Sequence, residues 1–143
     1  MIRRLSHVGL CVADLERSLR FYCEGLGFRE LSALDLAGEP AATLLELPGV
    51  ALRARYLERD GAVVELLHYL APGARGDGAP RPMNALGLTH LSFQVSDLDA
   101  AVARLIALGG RALSHTRVEN PRLGMRAIFV GDPDGTRIEL VQA

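Results

Sequence analysis

The chain has no lysine and no tryptophan, and its 16 basic residues, all arginine, face 17 acidic ones for a net charge of −1. So even a balance gives no pointer to a nucleic-acid or membrane surface. We read the all-arginine basic set as a mark of GC-rich coding rather than of function. Cys11 and Cys23 are too few for a disulfide framework, and reduced thiols are expected. No apolar run approaches the roughly 20 residues of a membrane span, and the opening "MIRRLSHVGL" runs directly into a strand pattern. These absences predict a cytoplasmic protein. What is present is ordinary for a globular chain: 143 residues, 49% hydrophobic and 23% charged, enough for one domain with a core.

The informative feature is a repeat. Residues 5–15 read "LSHVGLCVADL" and residues 88–98 read "LTHLSFQVSDL", with Leu, His, Val, Asp and Leu coinciding at an offset of 83. Each stretch runs on into a helical pattern, 14–25 and 97–108, with Asp14 and Asp97 placed to cap it. Gly27 and Gly110 are expected to close the two helices in a left-handed conformation. Strand patterns follow at 28–36, 41–47, 50–57 and 62–69 in the first half, the first two as parts of one bent hairpin. In the second half they fall at 111–117, 125–130 and 136–142. The turns "ERDG" (58–61) and "DPDG" (132–135) each lead into a matching strand, "AVVEL" (62–66) and "TRIEL" (136–140), now at an offset of 74. The Gly- and Pro-rich stretch 71–85 reads as a linker. The expectation is an α+β protein of two tandem βαβββ modules, 1–70 and 86–143, within a single domain 1–143.

Alternation places His7, Gly9 and Cys11 on one row of the first strand, and His90, Ser92 and Gln94 on the matching row of the other. Glu65 lies between Val64 and Leu66, and Glu139 between Ile138 and Leu140. A carboxylate among apolar strand neighbours is costly unless it is paired or bound to a cation. His7, Glu65, His90 and Glu139 together offer two imidazoles and two carboxylates. That set suits one divalent ion of the Zn, Ni, Co, Mn or Fe kind and leaves positions open for water or substrate. A lone strand histidine is usually no ligand; here each half predicts the other half's pair.

"HVGLCVADLERSLRFYCEGLGF" (7–28) and "FVGDPDGTRIELVQ" (129–142) resemble the vicinal oxygen chelate superfamily, whose members include glyoxalase I, methylmalonyl-CoA epimerase, extradiol dioxygenases and the fosfomycin and bleomycin resistance proteins. The resemblance spans about residues 4–142. It implies paired modules forming a curved, partly barrel-like sheet around a cleft, and it carries metal ligation over to His7, Glu65, His90 and Glu139. It further implies a glyoxalase- or epimerase-type enzyme acting on a small carbonyl compound through an enolate or enediolate, with Glu139 or Glu65 as the base. A small-molecule-binding, drug-sequestering protein and an extradiol-type dioxygenase are the alternatives. The first strand has Cys11 where bacterial glyoxalase I usually has arginine, and "VELLHYL" (64–70) lacks that family's asparagine. The epimerases' doubled histidine and "KSxGG" turn are replaced by "LTHL" and "DPDG". The family usually dimerises, and a homodimer is expected.

Cys11, Tyr69, Ser92 and Gln94 share the faces of the four ligands and are the candidates for substrate contact. Met125 and Phe129 lie on the neighbouring strand, either lining a pocket or packing in the core. His68 has the opposite parity to Glu65 and is expected on the surface or facing the helix, and is the backup ligand if a bulge shifts the register. His115 is expected in solvent. Arg53 and Arg55 share a face, either binding a substrate anion or simply exposed.

Overall fold

A computed structural model describes residues 1–143. The chain divides into two compact units, Met1–Arg75 and Gly76–Ala143. The protein is α+β, and each unit is built on its own mixed sheet.

In the first unit the order is β1 (Val8–Cys11), α1 (Leu15–Leu19), β2 (Arg29–Ala37), α2 (Ala41–Leu45), β3 (Ala51–Arg59) and β4 (Ala62–Ala71). The sheet runs β1-β4-β3-β2, with β1 parallel to β4 and the other pairs antiparallel. Leu57, Val64 and Leu66 are buried on one face of the sheet, and Leu15, Phe21 and Tyr22 are fully buried in the helical segment. β3 and β4 join through Asp60 and Gly61, both at positive φ, as a two-residue hairpin turn requires.

The second unit holds β5 (His90–Gln94), α3 (Leu98–Ala107), β6 (Arg111–Ala112), β7 (Val118–Asn120), β8 (Met125–Gly131) and β9 (Arg137–Gln142). Its sheet runs β5-β9-β8-β6, with β7 also on β8. The β8–β9 turn is wider, 132–136. The buried Asp132 carboxylate holds it by accepting from the N–H groups of Asp134 (2.9 Å) and Thr136 (2.8 Å). Gly135 sits in this turn at φ 90°, and a Cβ there would collide with the Gly78 carbonyl.

Asp14 and Asp97 cap their helices as expected, accepting from Arg17 N–H at 3.0 Å and Ala100 N–H at 2.9 Å. The backbone bond from Arg17 holds the Asp14 carboxyl below its usual range.

Three expectations are corrected. Residues 41–47 are not a strand: Ala41–Leu45 form a helix, because this Ala- and Leu-rich run has high helix propensity and its side chains pack on Val50 and Leu52. The left-handed residue closing the second helix is Gly109 (φ 96°), not Gly110. Gly110 N–H instead reaches back to Leu105 O at 2.8 Å, and Gly109 N–H to Ile106 O at 3.1 Å, a Schellman pair. In the first unit Gly27 does take φ 75°. There the helix ends in a π-helical turn, Arg20–Gly25, and such a turn holds one more residue than an α-turn. The glycine stop is displaced by one residue between the halves for this reason. Finally, 111–117 is not one continuous strand. The 3₁₀ turn Ser114–Thr116 interrupts it, leaving β6 and β7 on the same edge of β8.

Candidate functional site

Within each unit a histidine and a glutamate meet. His7 lies one residue before β1, and its Nε2 is 3.1 Å from Glu65 Oε2 on the adjacent β4. His90 opens β5, and its Nε2 is 3.6 Å from Glu139 Oε2 on the adjacent β9. In both, the other ring nitrogen is held by the hydroxyl of the preceding residue. Ser6 Oγ is 3.0 Å from His7 Nδ1, and Thr89 Oγ1 is 2.8 Å from His90 Nδ1. A hydroxyl both donates and accepts, so it serves either tautomer and leaves Nε2 directed at the carboxylate.

An aromatic ring backs each pair. Tyr56 lies opposite Glu65 across β3–β4, and Phe129 opposite Glu139 across β8–β9. The His7 and Tyr56 rings meet edge to face at 5.3 Å and 83°, and those of His90 and Phe129 at 5.5 Å and 85°. The two-residue and five-residue hairpin loops thus end in the same constellation.

The hydroxyl that steadies each glutamate comes from a different neighbour. Tyr56 hydrogen-bonds Glu65, which with burial and the carboxylate charge pushes the phenol up to about 12. Phe129 has no hydroxyl, and Glu139 instead accepts from Ser92 Oγ at 2.6 Å. Ser92 stands where the first half has Gly9, each directly beside its glutamate in the parallel pair. The Glu65 side chain is 13% exposed and that of Glu139 31%.

Glu139 also borders a cavity of about 390 Å³ with mostly apolar walls, among them Met83, Val118, Ile128 and Phe129. The 3₁₀ break between β6 and β7 places His115 and Thr116 in the same wall. Thr116 Oγ1 accepts from Phe129 N–H at 2.9 Å and donates to Leu113 O at 2.7 Å, fixing that turn over β8. In the first unit the corresponding sheet face is shut at one end, because Leu67 and Tyr69 pack against the cluster of Ala41, Ala42, Val50 and Leu52.

Not all of the predicted residues gather at these pairs. Ser92 and Phe129 are at the Glu139 pair. Cys11 is exposed on β1 beside Leu67. Tyr69 is occupied against α2, and burial raises its phenol. Gln94 is exposed at the far end of β5, and Met125 lies at the start of β8 beside Asn120, outside the cavity wall. His68 Nδ1 is buried without a hydrogen-bond partner. Arg55 bonds Asp35 at 3.1 Å. Ser6, Thr89, Tyr56, Arg137 and the cavity-lining role of His115 were not foreseen. The first two were visible in the repeat itself, which writes a hydroxyl before each histidine.

The sequence pattern of the Glyoxalase/Bleomycin resistance protein/Dioxygenase superfamily matches residues 4–140. The chain belongs to this superfamily. A lactoylglutathione lyase of Pseudomonas aeruginosa is 35% identical over 153 aligned positions, covering 96% of this chain and 81% of its own length. Among solved structures, a glyoxalase family protein from Bacillus cereus superposes with a TM-score of 0.83 at 23% identity, over 99% of this chain and 95% of that one. A fosfomycin resistance protein from Listeria monocytogenes, complexed with Mn(II) and sulfate, gives 0.62 at 20% identity, over 100% and 94%. These structures share the superfamily fold. As for membranes, no helix is long and apolar enough to cross one.

The donor chemistry of the two pairs fits a borderline divalent ion: a neutral imidazole nitrogen and a carboxylate oxygen, each steadied from behind by a hydroxyl. No third His, Cys, Asp or Glu joins either pair.

Proposed function

We propose that the protein is a divalent-metal-dependent enzyme of the glyoxalase and epimerase type, acting on a small carbonyl compound through an enolate or enediolate. His7, Glu65, His90 and Glu139 are its metal ligands. The observation that carries this reading is the His–Glu pair built twice, with Nδ1 engaged and Nε2 facing the carboxylate in both. The superfamily membership and the Mn(II) in a fold relative support it.

A Zn, Ni, Co, Mn or Fe ion held there supplies Lewis-acid polarisation of the substrate carbonyl. The chain's own groups do the rest. Glu139 borders the cavity and is the base that takes, and returns, the proton on the carbon beside the carbonyl. The Ser92 hydroxyl orients that carboxylate by donating to Oε2. Glu65, less exposed and tied to Tyr56, is the static ligand of the two. Met83, Val118, Ile128 and Phe129 give the substrate body an apolar wall beside that carboxylate.

The protein acts as a cytoplasmic homodimer. All nine residues of β2 are exposed, including Leu31, Leu34 and Leu36, and the strand lies at the edge of its sheet. Such an apolar edge calls for a covering partner. A solution mass of 15.4 kDa at micromolar concentration refutes the dimer.

The metal reading is tested by metal analysis of protein purified without chelator, and by melting curves with and without zinc, nickel or manganese. An ion at about 100 times its Kd stabilises by about 2.7 kcal/mol. Wild type and Glu119→Gln are expected to gain this stabilisation and Glu139→Gln to lose most of it. Equal melting temperatures for all three with or without metal overturn the reading.

A further inference from the structure

The cavity beside Glu139 contains one cation that no carboxylate neutralises. Arg137 is two residues from Glu139 on β9 and lies beside His90 in the parallel pair with β5, yet it makes no ion pair with Glu139. Its guanidinium lies over the Phe129 ring, 5.4 Å from the centroid. Its Nε donates to the Arg81 carbonyl at 2.8 Å. These two contacts fix the plane of the group. They leave both terminal nitrogens without a protein partner, in the wall of a cavity whose other surfaces are largely apolar. The corresponding strand of the first unit has Val63 at this position, so the cation belongs to one half only.

We infer that this cavity is a binding site for a small carboxylic acid with an apolar body, its carboxylate on Arg137 and its carbonyl toward Glu139. This rests on the reading of Glu139 given above and names the substrate class as an α-keto acid. The chemistry selects the carboxylate. Two parallel N–H groups of a fixed guanidinium match two carboxylate oxygens, whereas a single cation only partly neutralises a phosphate dianion. Stacking on Phe129 holds the donor fork before the ligand arrives, so little side-chain entropy is lost on binding. The volume of about 390 Å³ corresponds to about 13 waters, which suits a body the size of one ring. The same cavity would take the methyl ester of such an acid but leave the guanidinium without its counter-ion.

The test uses phenylglyoxylate and its methyl ester as probes, titrated into the full chain by calorimetry and by amide NMR, in chelator-treated and nickel-loaded protein. The acid is expected to bind about tenfold tighter than the ester, as a charge-assisted hydrogen bond of 1.5–3 kcal/mol implies. That preference is expected already in the metal-free protein, with shifts confined to the second unit. Arg137→Ala should erase the preference and leave ester binding unchanged, while Arg137→Lys, which retains the charge, should recover part of it. Val118→Trp, on the cavity wall, should block both probes. Equal affinities for acid and ester overturn the proposal, as does an Arg137→Ala preference equal to wild type. So does acid binding that appears only with nickel and ignores Arg137, because the ion is then the anion's site. If nickel fails to bind while the acid preference persists and depends on Arg137, the metal reading falls and the anion site stands.

Discussion

The two His–Glu pairs have the same parts list and different exposures. In the first unit the glutamate is 3.1 Å from its histidine, tied to a tyrosine and 13% exposed. In the second it is 3.6 Å away, tied to a serine and 31% exposed, with a cavity at its side. A glutamate in the middle of a sheet has a neighbour on each side, and either strand can supply its hydroxyl. The antiparallel neighbour does so in one half (Tyr56), the parallel neighbour in the other (Ser92). Strand pairing thus fixes the position of the carboxylate, while the source of its hydrogen bond is free to vary. Under the proposed function, the more enclosed pair holds the ion and the more open one reacts.

The largest expected effect breaks the comparison at the level of packing. Leu52→Ala removes a side chain that is 3% exposed beneath α2 and should cost about 2–5 kcal/mol. Val118→Ala in the open half, at 52% exposure, should change stability by less than about 0.5 kcal/mol. Urea titration of both variants checks this.

Next in size, His7→Ala and His90→Ala should each weaken nickel binding about a hundredfold or more, since loss of even an outer-sphere partner costs about 10–100-fold. A variant that binds nickel like wild type in calorimetry removes that unit from the metal site.

Tyr56→Phe and Ser92→Ala sharpen the comparison. Each deletes the hydroxyl behind one glutamate, and each should weaken nickel binding about tenfold. The double change of Tyr56→Phe with Gly9→Ser rebuilds in the first half the arrangement of the second. It should recover part of the affinity if the hydroxyl alone matters. Gly9 has little room, because a Cβ there lies 3.3 Å from the Leu67 side chain, so Leu67→Ala accompanies it.

The smallest effect lies outside both pairs. Arg117 and Arg126 bond Asp99 at 2.6 and 3.0 Å and hold its carboxyl below its ordinary value of 3.8. A carboxyl lowered in the folded state stabilises above its unfolded pKa, and that contribution is lost as pH falls through the folded pKa. Asp99→Asn should therefore melt slightly lower than wild type at neutral pH, and the gap should close in strong acid. The arginines are exposed to salt, so the difference should also shrink at high ionic strength.

Much of this arrangement was legible in the repeat. The alternation around His7, His90, Glu65 and Glu139 followed from strand periodicity, and the caps at Asp14 and Asp97 from side-chain chemistry. What escaped depends on tertiary context. The run 41–47 alternates well enough to pass for a strand, and only its packing on Val50 and Leu52 makes it helical. Tyr56 and Phe129 are paired with the glutamates by register across hairpins of unequal loop length, so no fixed offset in the sequence reveals them. The role of His115 required the 3₁₀ break, which sequence alternation does not announce. Arg137 read as half of a strand motif, and its exposure to the cavity appears only once the Phe129 ring is beneath it.

The connection between β2 and β3, residues 38–50, carries a helix, whereas that between β7 and β8 is the four-residue turn 121–124. Both lie at the tip of a hairpin, where added length disturbs no rung of the ladder. A duplicated gene can therefore lengthen one copy's tip into a packed cover and leave the other's short, with the His- and Glu-bearing strands untouched. Selection for a new ligand then has a place to act that is separate from the inherited chemistry. In the first copy the lengthened tip carries α2, against whose core cluster Leu67 and Tyr69 pack.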